Sequence, residues 1–224
     1  MPERPPSRTS ELGNRTSIAA DLLRIGAVVV RPEAPFTWAS GRKAPVYTDN
    51  RLTLGHPDVR RRLADAFVAL TLHQGWRPDV IAGTATAGIP HAAWLAERLG
   101  LPMAYVRSSA KAHGRGNTVE GPVTKGQRVL LVEDLVSTGG SSLAAVEALR
   151  ALGAEVVAVV AVFTYGLDDA ATAFANAGVP LCALTDFDAL VAQGDFSPEA
   201  RASLAEWRKD PVAWSERAGQ QSEG

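Results

Sequence analysis

The sequence predicts one α/β domain built on a mainly parallel sheet with helices on both faces. Four apolar runs, at 79–84, 103–107, 129–132 and 156–164, have the composition of strands. They are almost wholly apolar rather than alternating, which is typical of strands that are covered on both faces. Helical patterns lie between these runs, and alternation of strand and helix favours a doubly wound sheet. A length of 224 residues is suited to one such domain.

The remaining elements are predicted from helical spacing of apolar residues and from the residues that commonly begin or end helices. A serine at position 17 precedes helically spaced apolar residues, which predicts the first helix. Further helices are expected where proline opens or glycine closes such a pattern; they lie at 56–75, 89–100 and 141–153. The last elements expected are a helix at 168–177, a strand at 181–184 and a helix at 198–215. Residues 1–15 and 218–224 are poor in core-forming residues, so flexible tails are expected to flank a domain of residues 16–217.

The composition argues against several classes of function. Lys and Arg number 23 against 24 Asp and Glu, so no basic field is available to bind nucleic acid or an anionic membrane. No stretch approaches the roughly 18 consecutive apolar residues of a membrane span, and the charged, proline-rich N-terminus does not resemble a secretion signal. Cys182 is the single cysteine, which excludes an intrachain disulfide and a cysteine metal cluster. We therefore expect a cytoplasmic protein.

The stretch VLLVEDLVSTGGSS at 129–142 is the most informative one. Its strand brings Glu133 and Asp134 to the carboxyl edge of the sheet, where a pair of carboxylates can accept hydrogen bonds from vicinal sugar hydroxyls. The loop at 137–141 combines backbone N–H groups, hydroxyls and the positive end of a helix, which suits a phosphate. Neither the Gly-Lys-Ser/Thr ending of a Walker loop nor the glycine pattern of a dinucleotide fingerprint is present. A plain helix cap and turn would explain a lone Gly-Gly, but not the whole string.

Two other segments are candidates for binding anions. In AKAHGRGN, at 110–117, Lys111 and His113 lie in a glycine-rich stretch without apolar anchors, which predicts a mobile cationic loop. The alternative is an ordinary solvated basic loop. The turn TATAG at 84–88 follows a buried strand and precedes a helix, so it is either a second anion-binding turn or a plain connection.

The string at 129–142 resembles the signature with which type I phosphoribosyltransferases bind 5-phosphoribosyl 1-pyrophosphate (PRPP). The segments at 36–51, 81–107 and 108–121 narrow the resemblance to the orotate phosphoribosyltransferase family, and it covers most of 36–166. The resemblance implies transfer of a 5-phosphoribosyl group from PRPP to orotate in pyrimidine biosynthesis. It also implies a small hood over the base site, formed by about 16–55 and C-terminal elements. The resemblance further implies a Mg²⁺ ion that is held mainly by the substrate, with no metal ligands dedicated by the protein. It also implies a homodimer that shares its active-site loop across subunits.

The resemblance also assigns roles to individual residues. Catalytic roles on PRPP fall to Arg107, Lys111 and His113. The other expected PRPP contacts are Thr86, Ala87, Glu133, Asp134, Leu135, Val136, Ser137, Thr138, Gly139, Gly140 and Ser141. The expected orotate contacts are Ser40, Gly41, Tyr47 and Ser137.

Several positive charges of the family pattern are missing from this chain. Ala39 and Ala87 stand where many members carry lysine, and Ser108 stands where lysine is frequent. The arginine with which some members meet the orotate carboxylate is replaced by the 163–165 region. Backbone N–H groups or Arg42 are the alternatives for holding this carboxylate.

Two other functions are alternatives to orotate transfer. A purine-base phosphoribosyltransferase would share the signature, but it would need a different hood, and the segment at 36–51 argues for orotate. A non-catalytic PRPP-sensing regulator would need a basic patch or a helix-turn-helix segment to bind nucleic acid. Neither the net charge of −1 nor the N-terminal composition supplies one.

Overall fold

The computed structural model describes residues 8–38, 41–108 and 118–220. Within these ranges the helices are α1 (Arg8–Arg24), α2 (Pro57–His73), α3 (Gly88–Leu99), α4 (Gly140–Ala151), α5 (Asp168–Asn176), α6 (Phe187–Gln193), α7 (Pro198–Lys209) and α8 (Pro211–Gln220). The strands are β1 (Val28–Val30), β2 (Phe36–Thr37), β3 (Lys43–Ala44), β4 (Val46–Thr48), β5 (Val80–Thr84), β6 (Met103–Val106), β7 (Val119–Glu120), β8 (Arg128–Val136), β9 (Glu155–Thr164) and β10 (Leu181–Asp186). A 3₁₀ helix covers Asn50–Gly55.

The main sheet has the strand order β10-β9-β8-β5-β6-β7. All neighbours in it are parallel except β6 and β7, which confirms the predicted α/β class. The chain runs outward from β5 to β6 and then returns to the other side of β5 to form β8. Open parallel sheets bind ligands at the carboxyl ends of the strands beside such a reversal. The topology alone therefore directs attention to the loops after β5 and β8.

Alternate residues of the central strands supply the cores on the two faces of the sheet. Val132 and Val160 are buried in one core cluster, whereas Leu131 and Val159 are buried in the other. This period of two is the ordinary consequence of strand geometry. Both faces are therefore apolar, which explains why the strand segments show no polar alternation in sequence.

Two glycines allow α3 to approach the centre of the sheet closely. A Cβ atom on Gly83 would lie 2.8 Å from the Cα of Ile89 and 2.9 Å from the Cβ of Ala92. A Cβ atom on Gly88 would lie 2.5 Å from the carbonyl oxygen of Val132. Because only glycine fits at such contacts, the first turn of α3 abuts β8. The loops after β5 and β8 are therefore held side by side.

A small hood of short strands lies beside the sheet. β1 pairs antiparallel with β4, and β2 pairs antiparallel with β3. The indole N–H of Trp38 donates a hydrogen bond to the carbonyl oxygen of Val46 at 3.1 Å, which joins the two pairs. The backbone N–H of Lys43 donates to the hydroxyl of Ser215 on α8 at 2.8 Å. The hood is thus supported by the C-terminal helices.

The ends of the chain differ from the sequence prediction. α1 begins at Arg8 rather than at Ser17, so much of the predicted N-terminal tail is helical. The hydroxyl of Thr185 donates to the carbonyl oxygen of Arg15 at 2.9 Å, and the guanidinium of Arg15 pairs with Asp186. α8 reaches Gln220, and Ala218 packs against the core. These contacts join distant parts of the chain, so local sequence patterns could not predict them.

Three further differences concern element boundaries. The helix predicted at 198–215 is two helices, because Pro211 lacks an N–H group and restricts the residue before it. β7 and α6 were not predicted. β8 continues to Val136, paired with Thr164 of β9, so Glu133 and Asp134 lie within the strand.

In the described part of the chain, no helix has both the length and the hydropathy needed to cross a membrane.

We predict that Gly83→Ala destabilises the fold, because the new methyl group has no space between β5 and α3. Overpacking of this kind costs about 1–3 kcal/mol of unfolding free energy. The control is Gly55→Ala, since a Cβ atom at Gly55 meets no described atom within 4 Å. Urea unfolding at one fixed protein concentration measures both variants. Equal midpoints for the two variants would contradict the proposed close approach.

Candidate active site

The acid pair, Glu133 and Asp134, lies near the carboxyl end of β8. Glu133 is buried, with 4% of its surface exposed. One of its carboxylate oxygens accepts a hydrogen bond from the backbone N–H of Asp134 at 3.1 Å. The other accepts from the hydroxyl of Ser142, in the first turn of α4, at 3.1 Å. Glu133 is therefore fixed between its own strand and the helix that follows.

Burial determines the protonation of the acid pair. Loss of hydration and the neighbouring carboxylate of Asp134 raise the pKa of Glu133 to about 8. Burial also raises the pKa of Asp134. The pair therefore retains a proton near neutral pH and titrates as a unit. A carboxylate and a carboxylic acid together can both accept hydrogen bonds from hydroxyls and donate one to them.

Asn50 connects the hood to the acid pair. Its side-chain N–H donates to the backbone carbonyl oxygen of Asp134 at 2.7 Å, and its backbone carbonyl oxygen accepts from the Thr53 hydroxyl at 2.6 Å. Asn50 is buried, with 1% of its surface exposed. The sequence analysis missed this residue, because the only signal was its position within the segment at 36–51. The contact spans 84 positions in sequence.

The loop after β8 forms a cradle at the N-terminus of α4. Gly139 has a φ of +87°, and a Cβ atom there would lie 2.6 Å from the ring of Phe174. The first helical hydrogen bond runs from the N–H of Leu143 to the carbonyl of Gly139 at 2.9 Å. No described side chain caps this helix. The N–H groups of Gly140 and Ser141 are therefore available to an anion at the positive end of α4.

The predicted residues around this cradle differ in what they can offer to a ligand. Val136 is buried in the core, whereas Leu135 is partly buried and packs against it. Thr138 is exposed, and Ser137 is partly buried. The cradle thus combines backbone N–H groups with short hydroxyl side chains.

The turn after β5 lies next to the cradle, because Gly88 brings α3 against β8. Thr86 is exposed in this turn, and Ala87 precedes the first residue of α3. The N–H of Ala85 donates to the carbonyl of Val106, the last residue of β6, at 2.8 Å. The peptide bond between Ala85 and Thr86 is cis. The ends of β5, β6 and β8 therefore meet at one edge.

Arg107 follows β6 at the same edge. Its backbone N–H donates to the carbonyl of Thr118 at 2.8 Å. One guanidinium nitrogen lies 3.7 Å from the carboxylate of Glu120, and it has no hydrogen-bond partner among the described residues. Arg107 is thus close to the turn after β5, as expected for a cation that meets an anionic ligand there. Lys111 and His113 lie outside the described residues.

The predicted base-contacting residues lie in the hood. Gly41 is exposed and has a φ of +81° in the turn between β2 and β3. Tyr47 is 44% exposed, and its ring centroid lies 5.6 Å from that of Phe36. Only two residues separate Tyr47 from Asn50, which touches Asp134. Ser40 lies outside the described residues. The exposed ring of Tyr47 is thus three positions along the chain from the residue that joins the hood to the acid pair.

The phosphoribosyl transferase domain family matches residues 54–175 of this chain. The matched span contains the turn after β5, Arg107, the acid pair and the cradle. Fold and site together thus define a phosphoribosyltransferase. The chain is 54% identical to an orotate phosphoribosyltransferase from Bacillus caldolyticus over 201 residues, which cover 88% of this chain and 97% of that relative. This chain belongs to the orotate phosphoribosyltransferase family.

Solved structures agree with this family. The orotate phosphoribosyltransferase from Aeropyrum pernix has a TM-score of 0.70 and 34% identity, over 79% of this chain and 97% of that chain. The enzyme from Mycobacterium tuberculosis H37Rv, solved in complex with PRPP, has a TM-score of 0.63 and 29% identity. That comparison covers 79% of this chain and 98% of the other.

We predict that Glu133→Gln removes a pH dependence of stability. The pKa of Glu133 is raised from 4.5 to about 8 in the folded chain, so the folded chain binds more protons than the unfolded chain in this window. The resulting stabilisation is complete below about 4.5 and is lost as the pH rises to about 8. Between about pH 5 and about pH 8.5, the wild-type chain should therefore lose at least about 1 kcal/mol more unfolding free energy than the variant does.

Urea unfolding at the two pH values measures this difference. Glu97→Gln is the matched control, because Glu97 is exposed on α3. Parallel pH profiles for the wild type and Glu133→Gln would show that burial does not retain a proton on the pair.

Proposed function

We propose that this chain transfers the 5-phosphoribosyl group of PRPP to orotate, giving orotidine 5'-monophosphate and pyrophosphate, with Mg²⁺ and as a cytoplasmic homodimer. The observation that carries this proposal is the buried acid pair beside the uncapped N-terminus of α4, at the reversal point of the sheet. A ligand that bears both a vicinal diol and a phosphate fits this combination. Membership of the orotate phosphoribosyltransferase family supports orotate as the acceptor.

The cradle and the acid pair divide the recognition of PRPP. The 5-phosphate binds to the N–H groups and hydroxyls of the 137–141 loop, where the dipole of α4 favours negative charge. The ribose hydroxyls bind to Glu133 and Asp134. The pyrophosphate extends toward Thr86 and Ala87 in the turn after β5. The M. tuberculosis relative solved with PRPP supports PRPP as the donor.

The residues at the site fit a magnesium ion that is held mainly by its substrate. Carboxylate oxygens are the ligands that Mg²⁺ prefers, and Asp134 is the group that would hold it beside the ribose. The described residues contain no group of three or more His, Cys, Asp or Glu side chains able to bind a metal by themselves. When bound, Mg²⁺ neutralises charge on the pyrophosphate.

Charge stabilisation drives the chemical step. As the bond from C1 of the ribose to the pyrophosphate oxygen breaks, pyrophosphate leaves with the bonding electrons and positive charge develops on the sugar. Arg107, Lys111 and His113 stabilise the leaving group, while the acid pair orients the sugar. The ring nitrogen of orotate, in its deprotonated, anionic form, then bonds to C1 with its lone pair. Positioning and exclusion of water by the loop suffice, so no covalent intermediate with the enzyme is required.

Consumption of orotate, measured spectrophotometrically with PRPP and Mg²⁺, tests the proposed function. Adenine, hypoxanthine and uracil are assayed in parallel as acceptors. Turnover of orotate that requires both PRPP and Mg²⁺ is the expected result. Turnover of a purine instead would identify a purine-base enzyme. PRPP binding without turnover of any base would identify a regulator.

We predict that Lys111→Ala lowers kcat by a factor of about 100 or more, because one preorganised charge on a developing anion is typically worth that much. PRPP affinity should fall less, since the cradle is untouched. Steady-state kinetics and calorimetric titration with PRPP separate the two effects. Lys125→Ala is the matched control, because Lys125 is an exposed lysine in the turn before β8. Unchanged turnover in Lys111→Ala would exclude the loop from catalysis.

Mixing two inactive variants tests whether the loop acts across the dimer. Lys111→Ala and Asp134→Asn are each expected to be inactive, and they are unfolded together and refolded together. If the loop completes the site of the neighbouring subunit, hybrid dimers contain one intact site, and about a quarter of wild-type activity returns on random pairing. If each loop serves its own subunit, every site remains defective and no activity returns.

A further inference from the structure

The last peptide unit of β8 leads directly into the cradle. The carbonyl oxygen of Val136 belongs to the same planar unit as the N–H of Ser137, the first residue of the loop at 137–141. Val136 is buried, with 1% of its surface exposed, whereas Ser137 is only partly buried. A contact that fixes the carbonyl of Val136 therefore also fixes the direction of the Ser137 N–H.

Two donors at the end of β9 hold this carbonyl. The hydroxyl of Thr164 donates to the carbonyl oxygen of Val136 at 3.1 Å. The backbone N–H of Tyr165 donates to the same oxygen at 3.3 Å. The direction of both hydrogen bonds is certain, because a carbonyl oxygen can only accept, and its two lone pairs allow it two donors. The peptide unit that precedes the cradle is thus held from β9.

A second hydrogen bond orients the hydroxyl of Thr164. The backbone N–H of Gly166 donates to this hydroxyl oxygen at 3.2 Å. Since an N–H can only donate, the hydroxyl accepts from Gly166 and uses its single hydrogen on Val136. Gly166 has a φ of +66°, which glycine adopts without strain, so the chain can turn directly after β9. Thr164 therefore bridges the turn after β9 and the end of β8.

The N–H of Ser137 points to the opposite side of the peptide unit. Among the described residues the cis peptide bond is the one between Ala85 and Thr86, so the bond between Val136 and Ser137 is trans. In a trans unit the N–H and the carbonyl point in opposite directions. The Ser137 N–H has no backbone acceptor in the described part of the chain. It is therefore available, like the N–H groups at the start of α4, to an anion in the cradle.

We propose that Thr164 is a positioning residue for the 5-phosphate of PRPP, and that it acts by fixing the peptide unit between Val136 and Ser137. The inference rests on the proposed function, because it concerns the phosphate end of the donor in the same site. Thr164 acts through the Ser137 N–H and not by contact with the substrate. The 163–165 region, which stands in place of an arginine of the family pattern, thus has a role on the PRPP side of the site.

Binding of ribose 5-phosphate to the variant Thr164→Val tests the inference. Valine has the shape of threonine without the hydroxyl, so Val136 loses one donor and the Gly166 N–H loses its acceptor. Because hydrogen bonds to charged groups are strong, a misdirected Ser137 N–H should raise Kd for ribose 5-phosphate about tenfold, measured by calorimetric titration. KM for PRPP should rise by a similar factor, while kcat at saturating PRPP changes by about twofold or less. Pyrophosphate, which lacks the 5-phosphate, should keep its wild-type affinity.

Thr71→Val is the matched control. The hydroxyl of Thr71 donates to the carbonyl of Phe67 within α2 at 2.8 Å, and Thr71 is buried. This variant removes a hydroxyl–carbonyl hydrogen bond of the same kind outside the candidate active site. It should lower stability toward urea and leave Kd for ribose 5-phosphate unchanged. Thr164→Ser keeps the hydroxyl and should bind ribose 5-phosphate with nearly wild-type affinity. If Thr164→Val folds poorly, Thr164→Ala removes the same hydroxyl and takes its place.

Three results would overturn the inference. They are an unchanged Kd for ribose 5-phosphate in Thr164→Val, an equal loss of affinity for pyrophosphate, and weak binding by Thr164→Ser as well. In each case the wild-type enzyme still consumes orotate with PRPP, so the proposed function stands. A wild-type protein that binds ribose 5-phosphate but transfers no ribosyl group to orotate would instead overturn the proposed function.

Discussion

The burial of two adjacent carboxylates at the end of β8 constrains the rest of the site. Removing Glu133 from water costs free energy, and one hydrogen bond from Ser142 and one from the backbone offset this only in part, so its pKa remains raised. Asn50 adds a contact to the backbone of Asp134, and with it the hood is drawn over the pair. In the proposed function, a ligand with vicinal hydroxyls supplies further hydrogen-bond donors to this environment.

Small residues bring the two ligand-binding loops together. Gly83 and Gly88 allow α3 to lie against the sheet at distances that a side chain would prevent, and Gly139 turns the chain into α4 beside Phe174. In the proposed function Gly139 belongs to the loop that binds the 5-phosphate, whereas Gly83 and Gly88 contact no substrate. Gly83 and Gly88 would then fix the separation between the cradle for the 5-phosphate and the turn for the pyrophosphate, which must match the length of a single PRPP molecule. Geometry of this kind is a precondition for catalysis by positioning.

The sequence was sufficient to predict the parallel sheet and the positions on it of the acid pair and of the cradle, because each is encoded by a contiguous pattern. The run from Val129 to Ser142 contains strand, carboxylates, loop and helix start in one string. Contacts between distant segments were not predictable in this way. Thr48 and Tyr165 are 117 positions apart, and Arg15 and Thr185 are 170 apart, so no local periodicity reveals either pair. For the same reason the start of α1 and the role of Asn50 were missed.

The aromatic cluster joins the C-terminal helices to the hood. Trp207, on α7, is fully buried and packs against Tyr165 and Trp38. Ser215, on α8, accepts a hydrogen bond from the hood strand β3. The hood is made of strands of two or three residues, which do not form a stable structure by themselves. Its position over the acid pair therefore depends on α7 and α8. Tyr165, which packs against Trp207, also forms a hydrogen bond with Thr48 of the hood, so the same cluster joins the hood to the end of β9.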